Sequence, residues 1–215
     1  MRHHRPLYAI TDSQLMPGEK LFRDVEAALK GGCRFVQYRD KSNDLALRLF
    51  EATRLLTLCN HYSARLVIND DVKLAHQIHA HGVHLGQSDG DVREARALLG
   101  DATIIGVTCH DSVALAEQAI ADGANYIAFG RFFSSHTKPD ARPAPLSLLS
   151  EAREMFPRTM IAAIGGINLD NVQDVLTAGA DLIAVCHSLF SASDIEAQAR
   201  LLSATSPLPL GEGLG

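Results

Sequence analysis

The stretch DGANYI, residues 122–127, sets a glycine between the end of a helical pattern and the start of a β-rich run. The same arrangement recurs at residues 30–35, 81–85 and 178–183. A glycine in this place tolerates the left-handed backbone that ends a helix, and the next strand can begin at once. The recurrence predicts a chain built from repeated strand and helix units.

Short β-rich runs alternate with helical patterns along the whole chain. The runs cover residues 7–11, 34–37, 65–69, 82–85, 103–108, 125–129, 159–164 and 182–185. The helical patterns, with apolar residues three and four apart, cover 20–30, 45–60, 72–79, 92–99, 113–121, 146–155, 169–178 and 194–203. Strict alternation predicts a parallel sheet, and eight units in about 200 residues predict a single closed (β/α)8 TIM barrel. An open doubly wound sheet is the structural alternative.

Composition indicates one ordinary globular domain. The chain has 215 residues, of which 47% are hydrophobic and 21% charged, and a formal net charge of -5. This balance argues against nucleic acid as the main partner, and no apolar run is long enough to span a membrane. The four cysteines form no Cys-x-x-Cys pair, so we expect free thiols and a cytoplasmic protein. We expect residues 1–204 to form the barrel and the Pro- and Gly-containing residues 205–215 to be a flexible tail.

Polar residues gather just after the predicted strands and are scarce at their other ends. In a closed barrel these positions meet at one mouth, where such barrels bind and react. The residues concerned are Gln37, Arg39, Lys41, Asn69, Asp70, Asp89, Thr108, His110, Ser135, Thr137, Lys138, Gly165, Gly166, Cys186 and His187. Period two places Gln37, Arg39 and Lys41 on one side of the chain after the second strand.

Two carboxylates at this mouth predict a metal site. Asp70 and Asp89 are separated by one helix and one strand, so they are expected to face each other at neighbouring positions of the rim. Mg²⁺ typically takes one or two carboxylates and fills its remaining positions with water and substrate phosphate. The alternative is that each Asp caps the helix that follows it. Asp71 is assigned to such a cap.

Three cations, Arg39, Lys41 and Lys138, predict binding of phosphate oxygens at the same mouth. Solvated ion pairs with Asp40 and Asp140 are the alternative. The irregular stretch 130–145 is expected to be a lid or binding loop, or a merely mobile loop. Gly165 and Gly166 leave backbone N–H groups open to an anion at a helix start, for which Asn168 is the predicted cap.

Histidines and cysteines elsewhere give weaker signals. Four histidines, at positions 76, 79, 81 and 84, run from a helix through a turn into a strand, so no more than two of them can share a face, and a zinc site is disfavoured. Cys109 and Cys186 show no sign of activation, and we expect inert thiols.

A series of short motifs resembles the thiamine phosphate synthase family over nearly all of residues 5–204. The motifs are YAITD at 8–12, VQYRDK at 36–41, IND at 68–70, GVHLGQ at 82–87, IGVT at 105–108, TKPDA at 137–141 and AIGGI at 163–167. Their order and spacing make the set far more specific than any single motif. The resemblance implies a (β/α)8 barrel that joins hydroxymethylpyrimidine diphosphate to hydroxyethylthiazole phosphate, releasing diphosphate with the help of Mg²⁺.

The resemblance also implies roles for particular residues. The residues implied to hold the pyrimidine diphosphate are Gln37, Arg39, Lys41, Asn69, Thr108 and Lys138, of which Arg39, Lys41 and Lys138 would assist departure of the diphosphate. Asp70 and Asp89 would hold the metal. The residues implied to bind the thiazole phosphate are Ser135, Thr137, Gly165, Gly166, Cys186 and His187. A homodimer is a further implication.

This chain departs from the common family pattern at Arg131, at Ser134 and Ser135, and at His187, all on the thiazole side. Two other functions are open. One is a thiazole tautomerase, a related barrel in which His110 would be the acid-base residue and which needs no magnesium-diphosphate site. The other is a non-catalytic sensor of phosphate ligands that keeps the pocket and lacks the turnover.

Overall fold

A computed structural model describes residues 7–133 and 144–204 of the chain. In these ranges eight parallel strands pair in sequence order, and β8 pairs with β1 to close a barrel. The strands are β1 (Leu7–Ile10), β2 (Phe35–Tyr38), β3 (Arg65–Asn69), β4 (Gly82–Leu85), β5 (Ile104–His110), β6 (Tyr126–Gly130), β7 (Met160–Ile164) and β8 (Leu182–Val185). The predicted closed barrel is thereby confirmed, and the open sheet is wrong.

Helices connect the strands and surround the barrel. They are α1 (Glu19–Lys30), α2 (Leu45–His61), α3 (Val72–Gln77), α4 (Val92–Leu99), α5 (Val113–Ala121), α6 (Ser147–Met155), α7 (Val172–Thr177), α8 (His187–Phe190) and α9 (Ile195–Ala204). Most bounds lie within one or two residues of the predicted ones. Two differences stand out: α7 begins three residues later than predicted, and the single turn α8 is absent from the prediction.

The inside of the barrel combines large and very small side chains. Tyr8 and Tyr126 are both buried there, with 1% of each residue exposed. Tyr8 is paired across the sheet with Ala184, and Tyr126 is paired with Gly106. A small residue beside each ring leaves the volume that the ring fills, as close packing requires.

The helices bury a second, larger core between themselves and the outer face of the barrel. α9 packs against α1 and closes the ring of helices at the first unit. Gly31 lies at this contact, where an added Cβ would approach Glu196 O to 2.4 Å. A side chain at residue 31 would therefore push α9 away from the barrel.

Some expectations fall on residues 1–6, 134–143 or 205–215, which lie outside the described residues. The predicted flexible tail is one of them, and most of the predicted lid is another. In the described ranges, no helix has both the length and the apolar character that a membrane span requires.

Candidate active site

Two cavities open at the carboxyl ends of the strands. One, of about 460 Å³, lies beyond β2, β3 and β4, and we call it the β3–β4 cavity. The other, of about 470 Å³, lies beyond β1, β7 and β8, and we call it the β7–β8 cavity. Both belong to the end of the barrel at which the sequence predicts a site.

Asp70 is the central residue of the β3–β4 cavity. It follows β3 directly, and its backbone has a φ of 63°. A non-glycine residue in this left-handed region is uncommon and marks a position held by its surroundings. The Asp70 N–H donates to His84 O at 2.8 Å, which fixes that backbone. The carboxylate accepts from Asn69 Nδ2 at 2.6 Å and pairs with the Lys41 ammonium.

Asp89 lines the same cavity as Asp70. Its Oδ2 accepts from the Gly86 N–H at 3.1 Å, so the turn after β4 orients the carboxylate. Loss of solvent around the group, then the negative charge of Asp70 and a side-chain hydrogen bond with it, raise the pKa of the Asp89 carboxyl. The charge of Lys41 opposes that rise. Two adjoining carboxylates with one raised pKa form a place where a cation is favoured.

Neither of these carboxylates caps a helix. Asp71 accepts from the Leu74 N–H at 2.9 Å and caps α3, as the sequence predicts. Asp91 accepts from the N–H groups that begin α4 and caps that helix. The capping alternative for Asp70 and Asp89 is therefore wrong, because the neighbouring aspartates fill those positions.

The expectation that Gln37, Arg39 and Lys41 share one side is wrong. β2 ends at Tyr38, so period two does not continue through Lys41. Gln37 is buried inside the barrel, whereas Lys41 lines the β3–β4 cavity. Arg39 is exposed, and its N–H donates to Thr11 Oγ1 at 2.9 Å. Lys41 pairs with Asp70, and not with Asp40 as in the ion-pair alternative.

The β7–β8 cavity has the Gly165-Gly166 turn on one side and α8 on the other. Both glycines have positive φ, 101° and 68°. A Cβ at Gly165 would lie 2.1 Å from Arg131 Cβ, so the turn needs a glycine to fit. Cys186 and His187 also line this cavity. The predicted pairing of this turn with the residues after β8 is thus present in one cavity.

Asn168 does not cap a helix as predicted. Its Oδ1 accepts from the Asp170 N–H at 2.8 Å, and α7 begins only at Val172. Ser188 Oγ donates to Ile167 O at 2.7 Å and ties this loop to α8. The N–H groups of Gly165 and Gly166 therefore belong to a loop rather than to a helix start.

Cys186 behaves as the sequence predicts. Burial, and then the charge of Asp12, raise the pKa of its thiol to about 11, while Arg39 acts in the opposite direction. Burial likewise raises the pKa of Cys109 to about 12. Thiols with such pKa values carry little thiolate at neutral pH and are poor nucleophiles.

A hydrogen-bonded row of side chains crosses the barrel below the two cavities. It runs from Gln37 through Tyr8, Tyr126 and His84 to Thr108. Tyr8, His84 and Tyr126 are not predicted as site residues from the sequence. The available signal is period two, which places each of them on the inner face of its strand.

Thr108 and His110 lie at the end of β5, where the pairing with β6 shifts register. Thr108 is half-buried at the mouth, whereas His110 is exposed and has a φ of 52°. The described residues contain no cluster of three or more His, Cys, Asp or Glu that suits a metal ion.

Ser135, Thr137 and Lys138 lie outside the described residues. The described residues on either side of that segment are held beside the β7–β8 cavity. Phe133 N–H donates to Gly165 O at 3.0 Å, and Ala144 N–H donates to Arg131 O at 2.7 Å.

Comparison with known proteins gives consistent matches. A family model described as thiamine monophosphate synthase matches residues 7–189. A thiamine-phosphate synthase of Saccharophagus degradans is 51% identical over 209 residues, covering 96% of each chain. That of Alcanivorax borkumensis is also 51% identical, covering 92% of each. The structure of thiamine phosphate pyrophosphorylase from Pyrococcus furiosus superposes with a TM-score of 0.83 at 32% identity, covering 94% of this chain and 95% of the other.

Proposed function

The chain belongs to the thiamine monophosphate synthase family, and from that premise we propose that its transferase activity depends on Mg²⁺ held by Asp70 and Asp89. The activity itself, synthesis of thiamine phosphate, follows from the identity over most of the chain. The proposed substrates are hydroxymethylpyrimidine diphosphate and hydroxyethylthiazole phosphate, with diphosphate as the second product. The observation that carries the metal proposal is that Asp70 and Asp89 line the same cavity at the mouth of the barrel.

The donor set fits Mg²⁺. Two carboxylates and the neighbouring Asn69 amide are hard oxygen ligands, and this ion commonly takes one or two carboxylates and leaves the rest to water and phosphate. Desolvation, and then the neighbouring negative charge of Asp70, raise the pKa of the Asp89 carboxyl, and a bound cation would offset that repulsion. When bound, Mg²⁺ would neutralise charge that develops on the departing diphosphate.

Lys41 supplies the mobile positive charge at this cavity. Its side chain is 58% exposed and pairs with Asp70, whose side chain is only 23% exposed. An exposed ion pair contributes little to stability, so this pair is easily exchanged for another. We propose that the Lys41 ammonium turns to the diphosphate oxygens and stabilises their growing charge. Arg39 and Lys138 are proposed to assist on the family resemblance.

Alignment is the other task of the protein. The β7–β8 cavity has glycine N–H groups and the exposed His187, and we propose that it holds the thiazole phosphate through Gly165, Gly166, Ser135, Thr137, Cys186 and His187. Gln37, Asn69 and Thr108 are proposed to hold the pyrimidine diphosphate between the two cavities. Fixing two substrates in one orientation lowers the barrier without a protein nucleophile, in agreement with the unreactive Cys186.

The deciding experiment is turnover with both substrates, with and without Mg²⁺. We expect thiamine phosphate and diphosphate in equal amounts, loss of turnover in excess chelator, and recovery on adding Mg²⁺. Turnover unchanged in chelator would contradict the metal proposal. Failure to form thiamine phosphate with full Mg²⁺ would favour the sensor, and rearrangement of a carboxythiazole phosphate would favour the tautomerase.

We also propose a cytoplasmic location and a homodimer. The four thiols are free, and three of them are buried, which suits a reducing compartment. The homodimer is implied by the family alone. Sedimentation of the purified chain at several concentrations would test it.

A further inference from the structure

A continuous row of hydrogen bonds joins the inside of the barrel to its mouth. Gln37 Nε2 donates to Tyr8 OH at 2.7 Å, and Tyr8 OH and Tyr126 OH are 2.8 Å apart. His84 Nδ1 lies 2.8 Å from Tyr126 OH, and His84 Nε2 lies 2.8 Å from Thr108 Oγ1. The first four residues are buried, and Thr108 is half-exposed at the mouth.

The space for this row is built into neighbouring strands. A Cβ at Gly106 would lie 1.9 Å from Tyr126 Cζ and 2.4 Å from its hydroxyl, so only glycine admits the ring. The Tyr126 ring stacks on His84 with centroids 5.5 Å apart and meets Tyr8 edge-on at 6.0 Å. Each member is thus held by packing as well as by its hydrogen bonds.

With Gln37 Nε2 facing Tyr8, all the hydrogen bonds of the row donate in the same direction. The Gln37 amide nitrogen can only donate, so the Tyr8 hydroxyl accepts from it. Tyr8 then donates its own hydrogen bond to the Tyr126 hydroxyl. Tyr126 in turn donates to His84 Nδ1, which must be the unprotonated ring nitrogen. A neutral imidazole then carries its proton on Nε2 and donates it to Thr108.

The neutral state of His84 is consistent with its surroundings. Burial lowers the pKa of His84 to about 4, with Asp70 acting in the opposite direction. Neutral at working pH, the ring has one donor and one acceptor, which the row uses in full. The Thr108 hydroxyl, already an acceptor from His84, keeps its own proton for another partner at the mouth.

We propose that Tyr8, Tyr126 and His84 are positioning residues that fix the Thr108 hydroxyl as a hydrogen-bond donor towards the pyrimidine diphosphate, an inference that rests on the function proposed above. The substrate atom that Thr108 meets is an acceptor. If the Gln37 carbonyl faced Tyr8 instead, every hydrogen bond of the row would be reversed. His84 would then be protonated on Nδ1, and the Thr108 hydroxyl would donate to His84 Nε2 rather than to the substrate.

The first test needs no substrate. The ¹⁵N shifts of the His84 ring, identified by its loss in His84→Gln, report which nitrogen is protonated in the full-length protein. We expect the proton on Nε2 in the wild type and in Tyr8→Phe, where Tyr126 can still donate to Nδ1. In Tyr126→Phe the donor to Nδ1 is gone, and we expect a mixture of tautomers. A proton on Nδ1 in the wild type would overturn the proposal.

The second test measures turnover with matched variants of His84. The side chain of Gln reaches as far as Nε2 and can still donate to Thr108, whereas that of Asn ends near Nδ1. We expect His84→Asn to lower kcat/KM for the pyrimidine diphosphate roughly ten- to hundred-fold, the worth of one hydrogen bond to a charged ligand. His84→Gln should recover most of that loss, and KM for the thiazole phosphate should not change. Equal loss in both variants would contradict the positioning role.

A double-mutant cycle separates positioning from mere packing. In a Thr108→Val background, His84→Asn should cause no further loss beyond about twofold, because both act through the same hydroxyl. If the activity losses of His84→Asn and Thr108→Val multiply in the double variant, the proposal is wrong. If the wild type makes no thiamine phosphate, the proposed function fails, whereas the tautomer measurement still decides the proton order.

Discussion

Asp70 and Asp89 line the same cavity beyond the ends of β3 and β4, although neither residue caps a helix. Helix capping is the usual reason for an aspartate at a turn between a strand and a helix. Here Asp71 and Asp91 cap the helices, so the carboxylates of Asp70 and Asp89 are available for a ligand. Under the proposed function, Asp71 and Asp91 would therefore stabilise the helices, and Asp70 and Asp89 would bind the metal.

Replacing Asp89 tests this division directly. We expect Asp89→Ala to reduce turnover by orders of magnitude at saturating substrates and to raise the Mg²⁺ concentration needed, because one of two metal ligands is lost. The melting temperature should hardly move. Activity titrations with Mg²⁺ and thermal denaturation measure both effects.

Asp91→Ala is the matched control for that variant. It removes the cap of α4 and should cost about 1 kcal/mol of unfolding free energy while kcat of the folded protein stays at the wild-type value. A loss of stability in Asp89→Ala as large as that in Asp91→Ala, with activity retained, would show that the division is wrong.

Lys41 can be tested against another exposed lysine. Lys41→Met should lower kcat/KM for the pyrimidine diphosphate by roughly 10²–10³-fold, the cost of losing one positioned charge on a leaving group. Stability should stay within about 0.5 kcal/mol, because an exposed ion pair contributes little. Lys30→Met removes a similar exposed pair with Glu26 at the far end of α1 and should leave activity intact. Equal activity in the two variants would contradict the role of Lys41.

Acid sensitivity should trace in part to His84. Its pKa is lowered to about 4 in the folded protein, so between that pH and its ordinary value near 6.5 the unfolded chain binds more protons. The contribution to stability is complete above the ordinary value and is lost as the pH falls towards 4. Its slope cannot exceed about 1.4 kcal/mol per pH unit. Denaturant midpoints from pH 4 to pH 7 should be flatter in His84→Gln.

His81 is a second group expected to contribute to the pH dependence of stability. Burial, and then the charge of Arg65, lower its pKa as well, so it contributes with the same sign. His81→Gln should flatten the same profile by a separate amount, and the double variant should show the sum. A profile unchanged in His84→Gln would mean that another group causes the acid sensitivity.

Overpacking inside the barrel gives a further prediction. Gly106→Ala sets a methyl group 1.9 Å from the present position of Tyr126 Cζ, and overpacking of this kind typically costs about 1–3 kcal/mol. Turnover should fall too, because Tyr126 must move away from His84. Adding Tyr126→Leu should restore much of the stability and none of the activity. Recovery of both would argue against the role of the hydrogen-bonded row.

The architecture and the metal-site candidates could be predicted from the sequence because they depend on local signals. Period two, helical spacing and recurring glycines locate the strands and helices, and barrel geometry then brings Asp70 and Asp89 together. The relation of Gln37 to Lys41 could not be predicted, because side-chain alternation holds only within a strand and β2 ends at Tyr38, three residues before Lys41.

The interior row could not be predicted for a different reason. Tyr8 and Tyr126 are 118 residues apart, and their contact depends on the closure of the barrel. The sequence does show both on inner faces, and it shows a glycine at position 106. It contains no sign that the ring of residue 126 lies over that glycine, because the packing inside depends on all eight strands at once.

Because the Tyr126 ring packs over Gly106, substitutions at these two positions are expected to be coupled in evolution. A lineage that gains a side chain at position 106 must first, or simultaneously, accept a smaller residue at 126, and it then gives up the hydroxyl that His84 meets. Substitutions at these sites should consequently occur in pairs among relatives, and a relative with alanine at 106 beside tyrosine at 126 would require a differently shaped barrel interior.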